Sequence, residues 1–422
     1  MALVFGLCAC ASFLLTASAH QTRSNRFLLL YGLSIYDAIV TIEMMPWVLT
    51  GQIALALGLY AFVTDTSNMW VQAGWMLWGL SWLGLLAFSA TVARTPRLLK
   101  DHLEKGLGKG YEEEISPERR AFLDKPVTWK DGFSPFVLSF PGIDVSTSIP
   151  YSDEHPRLKL DIYRPAGTTE DERLPVLLQV HGGAWIVGKK SEQARPLFQL
   201  LASRGWVCVT INYRRSPFVQ FPQHLLDAKA ALVWIRENIA SYGGDPDFVA
   251  VTGASAGGHL SLLLAMTAND PSLQPGHEDV DTSVQALVPF YAAYDMQQRH
   301  SPHHRQVLKV MVQWRIMPGS PDDCPEVWHL ASPLEQVQPG LPPTYLIHGE
   351  GDELVPIAEA QAFLHALEPV HDNTLVCSFL PGANHAFDVV RSWRTEYTNR
   401  AVQRFLEWAY SQHTMDLESK DG

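Results

Sequence analysis

The stretch "VTGASAGGHL", Val251 to Leu260, sets one hydroxyl, Ser255, among residues with little or no side chain, directly after one apolar run and directly before another. Small residues in that arrangement suit a sharp turn from a strand into a helix. Gly253 and Gly257 leave the backbone room to fold tightly, and the turn pushes the serine Oγ outward, where a substrate can reach it. A glycine-rich connection without chemistry would look the same in isolation. Partners elsewhere in the chain have to decide.

Outward from the turn, two kinds of segment alternate. "LKLDIYRP", "LPVLLQVHGG", "GWVCVTINYR", "DFVAVTG", "VQALVPFYA", "PTYLIHGE" and "TLVCSFLPG" are strand-like, several of them continuous apolar runs suited to burial on both faces. Between and after them, "SEQARPLFQLLASRG", "FPQHLLDAKAALVWIRENIASYGG", "GGHLSLLLAMTAND", "AEAQAFLHALEPV" and "TEYTNRAVQRFLEWAYSQHT" are helix-like. The order predicts, from about Ser146 onward, an α/β fold with a mostly parallel sheet and helices on both faces. Reactive side chains in such a sheet belong at the carboxyl ends of its strands.

A serine hydroxyl is a poor nucleophile at neutral pH and needs a base, which in turn needs an orienting carboxylate. "GANHAFDVV" supplies His385 just after a strand, with a pKa suited to taking and returning a proton. "YLIHGEGDELVPI" supplies Asp352, aimed by the turn that Gly351 permits; Glu350 and Glu353 are rivals by position. The chain order Ser255, Asp352, His385 is that of the α/β-hydrolase fold. His300, His303 and His304 cluster in a polar loop and are read as solvated surface, since no ligand spacing supports a metal site.

"VHGGAWIVG" follows the strand Leu174 to Val180. Gly182 and Gly183 there are expected to turn their amides toward a developing oxyanion, with the Ala256 amide completing the set. The alternative is a plain tight turn, but the motif falls upstream of the serine, where the chemistry requires it.

Composition bounds the rest. With 422 residues and 47% apolar content the chain can bury a full core and carry an appendage. A net charge of -12 excludes the basic surface that nucleic acid requires. The five cysteines, with no CxxC pair, suit a reducing compartment.

The appendage is the first 93 residues. Met1 to Ala19, Met45 to Thr64 and Met69 to Ala93 are nearly free of charge, each close to the roughly 20 residues that cross a hydrocarbon core. Ala17-Ser18-Ala19 resembles a signal-peptide cleavage site, but a positively charged start is missing, so an uncleaved span is expected. Phe27 to Ile42, interrupted by Asp37, is either an interfacial helix or a fourth crossing. Arg23 and Arg26 follow the first span, and Arg94, Arg97, Lys100, Lys105 and Lys109 follow the last. The positive-inside rule then gives about three crossings, with the large C-terminal part in the cytoplasm. Trp70, Trp75, Trp78 and Trp82 are assigned to packing between helices rather than to interface anchoring. Residues 94–145 are expected to be a linker and cap element, with a helix opening at Ser116-Pro117, and 146–422 the catalytic domain.

At these residues the sequence resembles the α/β-hydrolase superfamily, specifically hormone-sensitive-lipase-like (family IV type) esterases such as the actinobacterial Lip esterases, which carry a hydrophobic amino-terminal region. The likeness runs from about Asp153 to the C-terminal helix through "HPRLKLDIYRP", "VHGGAWIVGKK", "GWVCVTINYR", "FPQHLLDAKAALVWIRENIASYGGDPDFVAVTGASAGGHLSLLLA" and "HGEGDELVPI". It implies carboxylic-ester hydrolysis with Ser255 as nucleophile, His385 as base, Asp352 as acid and His181-Gly182-Gly183 as the oxyanion motif, without metal or cofactor. Two departures stand out: Ala184 and Trp185 follow the two glycines where many members have a third glycine, and the carboxylate segment lacks the usual Asp-Pro-Leu.

The implied partners are a small-molecule ester, lipid-derived in one version, and membrane lipid around the first helices; the oligomeric state is open. Tyr111 to Phe140 and the insertion from Met296 to Pro333 are candidates to cover the strand ends. In the insertion, Val307, Val310, Met311, Trp314 and Ile316 line an acyl pocket or pack as ordinary core. Rival functions are an amidase, a formamidase or a prenylcysteine methylesterase of the same fold, and a catalytically silent binding module.

Overall fold

The computed structural model describes residues 1–20, 36–123, 126–301 and 310–421. Among the described residues the strands form a single sheet: β1 Ile143–Pro150, β2 Lys159–Pro165, β3 Leu174–Val180, β4 Val207–Ile211, β5 Gly244–Ala254, β6 Ala286–Phe290, β7 Thr344–Gly349 and β8 Leu375–Leu380. Their spatial order is β1-β2-β4-β3-β5-β6-β7-β8. The first two pairings, β1 with β2 and β2 with β4, are antiparallel, and the rest are parallel. The expected mostly parallel sheet is present, with one strand the sequence did not reveal. β1 reads "IDVSTSIP", an edge strand that buries Ile143 and leaves Val145 exposed and Ile149 half-buried, with Ser146, Thr147 and Ser148 between them, so only a weak apolar alternation marks it.

Alternate residues of the central strands feed two cores. On β3, Val176, Leu178 and Val180 join the core shared with α5 (Gln223–Asn238), α6 (Ala256–Met266), α7 (Pro325–Ala331) and α8 (Ile357–Leu367), and Leu177 joins the other. That opposite face is covered by α3 (Met69–Leu107), α4 (Arg195–Ala202) and α9 (Trp393–Asp421). Burial on both faces is why these strands are continuous apolar runs rather than alternating ones.

The first helices are α1 (Ala2–His20), α2 (Met45–Tyr60) and the apolar half of α3. Two helices, α1 and α3, are long and apolar enough to cross a membrane, and a bent pair, Tyr36–Glu43 with α2 at 82°, makes up to three. Of the stretch Phe27 to Ile42, residues 27–35 lie outside the described residues, as do Arg23 and Arg26. A polar node joins the three helices: Thr16 Oγ1 lies 2.8 Å from Ser81 Oγ, which lies 2.9 Å from Gln52 Oε1. Among apolar side chains such groups find each other because nothing else there would pair with them. Trp75 sits 5.2 Å, ring to ring, from both Phe5 and Tyr60, and Trp78 is buried, so these indoles pack helix against helix.

α3 does not stop where the composition changes. It runs through Arg94 as a 39-residue helix whose polar end packs on the edge strand β8. Gly106 lies so close that a Cβ there would come within 2.7 Å of Val376 Cγ2, and His102 Nδ1 is hydrogen-bonded to Ser378 Oγ at 3.0 Å. The segment after it opens a short helix, Pro117–Arg120, capped by Ser116. It packs on α9 rather than over the strand ends: Arg119 pairs with buried Glu407 at 2.6 Å, and Tyr111 and Ile115 join the core beneath.

Candidate active site

β5 ends at Ala254 and α6 begins at Ala256, so the chain reverses at Ser255, with φ 56° and ψ −120°. A residue with a side chain is strained there and stays only because its surroundings overdetermine it. The Ser255 amide donates to Phe290 O at 3.0 Å, and its carbonyl accepts from the His259 amide at 2.9 Å. Gly253 and Gly257 face each other across the turn, and a Cβ on Gly257 would collide with the Val180 carbonyl of β3. Only glycine lets α6 approach the sheet this closely.

The structure brings together the three side chains that the sequence scatters over 130 residues. Ser255 Oγ lies 2.9 Å from His385 Nε2, and His385 Nδ1 lies 2.7 Å from Asp352 Oδ2. Both ring nitrogens are then occupied, which leaves none for Glu350 or Glu353. Asp352 Oδ1 accepts the amides of Leu354 and Val355, so the carboxylate is held from both sides. Burial works to raise its pKa, but the charge and hydrogen bond of His385, with His348 and the Val355 amide, outweigh burial and hold it below the usual carboxylate value.

The loop after β3 departs in one respect from the expected set of amide donors. Gly182 N–H donates to Gln193 Oε1 at 2.7 Å, so it is already engaged. Gly183 and Ala184 line the cavity that holds Ser255, and among the described residues their amides have no hydrogen-bond partner. The loop is unusual in backbone: Gly183, Ala184 and Trp185 all have positive φ, at 122°, 50° and 59°. Trp185 is pinned by its Nε1–H donating to His259 Nδ1 at 3.3 Å, while His259 Nε2–H donates to Ala331 O at 2.7 Å. Burial pushes His259 down to about 4, which keeps the ring neutral and able to accept. His181 is buried behind the loop, stacked on Tyr213, with Nδ1 hydrogen-bonded to Gly182 O.

The cavity in front of Ser255 measures about 380 Å³, enough for a small ligand. Its walls are mostly apolar, from Trp185, Met296, Met311, Val312, Leu354 and Val355. Of the insertion residues proposed for it, Met311 lines the cavity, Ile316 packs in the core, Trp314 and Val310 face outward, and Val307 lies outside the described residues. Among the described residues, none from Tyr111 to Phe140 lines it. Sequence reasoning missed Gln193 and the pair Tyr291–Asp388. The Tyr291 hydroxyl donates to Asp388 Oδ1, and its ring meets the His385 ring at 4.7 Å. No local pattern marks them, because each works through a partner about a hundred residues or more away in the chain, or in a loop of ordinary polar composition.

Known proteins give this geometry a family. The family model described as BD-FAE matches residues 160–367. Probable carboxylic ester hydrolase LipM of Mycobacterium tuberculosis is 39% identical over 346 residues, covering 80% of this chain and 78% of LipM. The chain belongs to this family of carboxylic ester hydrolases. Esterase LipQ of the same organism is 42% identical over 265 residues, and there the alignment spans 62% of the relative's length. The LipM match is longer than residues 146–422, so the likeness extends into the residues before them. Among solved structures, a Thermogutta terrifontis esterase with butyrate bound is similar at a TM-score of 0.51 and 26% identity, covering 63% of this chain and 92% of that one. A truncated carbohydrate esterase from gut microbiota shares the fold, with a TM-score of 0.52 at 23% identity over 64% of this chain and 99% of that one.

Proposed function

We propose that this chain is a membrane-anchored serine esterase that hydrolyses small carboxylic esters by acyl transfer. The observation that carries the reading is the relay Ser255–His385–Asp352, with spacings of 2.9 and 2.7 Å, ending on a strained serine that faces the cavity. His385 takes the Ser255 proton as Oγ attacks the ester carbonyl, and Asp352 holds the ring in the tautomer that can accept it. The carbonyl oxygen becomes an oxyanion, met by the amides of Gly183, Ala184 and Ala256; Gly182 is assigned to bracing the loop through Gln193. The protonated His385 returns its proton to the departing alcohol. Water, deprotonated by the same ring, then releases the acid and restores Ser255.

In this reading residues 1–93 form about three crossings, 94–145 connect them to the sheet, and 146–422 do the chemistry on the cytoplasmic side. The basic run Arg94 to Lys109 supports that orientation. A second reading, methyl-ester hydrolysis on prenylated cysteine, is favoured by several relatives, among them a probable isoprenylcysteine alpha-carbonyl methylesterase of Oryza sativa subsp. japonica, 32% identical over 236 residues and 53% of each chain.

Hydrolysis of p-nitrophenyl esters of graded chain length by the wild type and by Ser255→Ala tests the proposal. Loss of activity with the substitution, by about a thousandfold or more, is expected. Equal rates in both proteins, or no hydrolysis of any ester by a folded wild type, would reject it.

A further inference from the structure

The loop that carries His385 is seated against the foot of the apolar helices. Ser392 Oγ donates to Glu43 Oε2 at 2.7 Å, and Arg394 Nη1 lies 3.1 Å from Glu43 Oε1. Trp393 packs against the cluster of Ile42, Met45 and Phe88, and Thr91 of α3 lies beside Gly382. Glu43, Met45 and Thr91 are the points where the apolar helices meet the hydrolase. The boundary of the apolar layer therefore runs along Gly382 to Trp393.

The segment Trp129–Leu138 follows that boundary as a strap. Its Phe133 ring lies 6.1 Å from Trp47 of α2 and 6.2 Å from Trp393. Further along, Arg391 N–H donates to Pro135 O at 2.8 Å and Arg195 Nε–H donates to Val137 O at 2.7 Å. Arg391 and Arg195 follow closely on Val389 and Gln193, which line the cavity from its two flanking loops. The strap thus passes from the base of α2 to the mouth of the cavity.

Phe133 and Val137 turn inward, but three other large apolar side chains of the strap do not. Trp129 is 67% exposed, Phe136 62% and Leu138 87%, and Lys130 Nζ sits over the Trp129 ring. A row of exposed apolar groups beside a lysine has the chemistry of a surface that lies at the boundary between headgroups and acyl chains. Continuity with the apolar helices, through Trp47 and Phe133, identifies the occupant as the bilayer rather than a protein partner.

We propose that the strap Trp129–Leu138 rests in the membrane interface and sets the mouth of the Ser255 cavity at the bilayer surface, so that the substrate is an ester borne by a lipid leaflet. This deepens the esterase and membrane readings above and rests on both.

The test uses the full chain reconstituted in phosphatidylcholine vesicles and two butyrate esters that differ in the alcohol: water-soluble p-nitrophenyl butyrate and bilayer-embedded hexadecyl butyrate. In the double variant Phe136→Ser/Leu138→Ser, release of butyrate from the embedded ester is expected to fall about tenfold, with the soluble ester hydrolysed within about twofold of wild type. Equal loss on both esters, or no loss on either, overturns the proposal. Failure of the wild type on both esters would defeat the esterase reading instead, and an activity-free measurement then decides the surface. Leu138→Cys bearing an environment-sensitive fluorophore, with the unsubstituted protein labelled in parallel as background, is expected to be quenched by brominated lipid; quenching by aqueous iodide alone overturns the proposal.

Discussion

Glu43 and Arg394 form a buried ion pair, 3.1 Å apart, between the bend of the apolar helices and the start of the C-terminal helix. Arg394 lies nine residues beyond His385 in sequence, so the pair ties the helical region to the loop that presents the histidine. Removing one member of a buried pair leaves the other charge without compensation, a cost of about 3 to 5 kcal/mol. Glu43→Gln is therefore expected to lower the melting temperature in detergent and to reduce ester hydrolysis. The double variant Glu43→Gln/Arg394→Met should melt above the single one, and an unchanged melting temperature in Glu43→Gln would refute the role.

The same contacts predict the fate of a truncated chain. A fragment from Ser146 to Gly422 lacks Glu43, the Arg119 that neutralises Glu407, and the Ile143 that begins β1. It is expected to aggregate or to elute without activity on size exclusion. A monodisperse fragment with full activity would reduce the first 145 residues to a tether.

Asp352→Asn isolates the orienting role of the carboxylate. The amide keeps the size of the side chain but no longer holds His385 in the tautomer that accepts the serine proton, so kcat is expected to fall about 10⁴-fold with an unchanged fold. Circular dichroism and kcat measured together check this; a loss of tenfold or less would move the orienting role elsewhere.

Gln193 separates two assignments of the oxyanion donors. If it braces the loop by accepting from Gly182, then Gln193→Ala leaves a backbone N–H unpaired, at about 1 to 3 kcal/mol, and kcat should fall about tenfold or more with KM little changed. A kcat equal to or above that of the wild type would mean that Gln193 merely occupies a donor the substrate needs, and that Gly182 belongs to the set.

Acid should destabilise the hydrolase body through its buried histidines. Burial pushes His181 and His259 down to about 4 and His224 down to about 3. Unfolded histidine takes a proton near pH 6.5, so below that value the unfolded chain binds more protons than the folded one. The stabilisation is complete above about pH 6.5 and is lost as pH falls toward 4, by about 1.4 kcal/mol per pH unit for each ring. Urea midpoints between pH 7.5 and 5 should show this slope, and a shallower one in His224→Gln; identical slopes would rule His224 out.

Much of the body was legible because its signals are local. The strand runs and the glycines around Ser255 carry their reasons with them: burial on both faces for the first, a steric limit against Val180 for the second. β1 was not legible, because an edge strand interrupted by Ser146, Thr147 and Ser148 displays only a weak apolar alternation. Tyr111 to Phe140 was a candidate to cover the strand ends, yet among the described residues none of it lines the cavity and its first part, through Arg119, packs on α9, since an amphipathic segment does not state which surface it will meet. The change of composition at Arg94 likewise hid a helix that continues through it.

The sequence by itself determined the order of elements, the turn that exposes Ser255 and the residue types able to relay a proton, because periodicity, glycine placement and side-chain chemistry are properties of neighbours along the chain. Only the tertiary structure decided that Asp352 rather than Glu350 or Glu353 meets His385, that Gly182 is engaged by Gln193, and that the histidine loop is clamped to the apolar helices. Those choices depend on distances of a few ångströms between segments far apart in sequence. Packing sets such distances, and no local pattern encodes them.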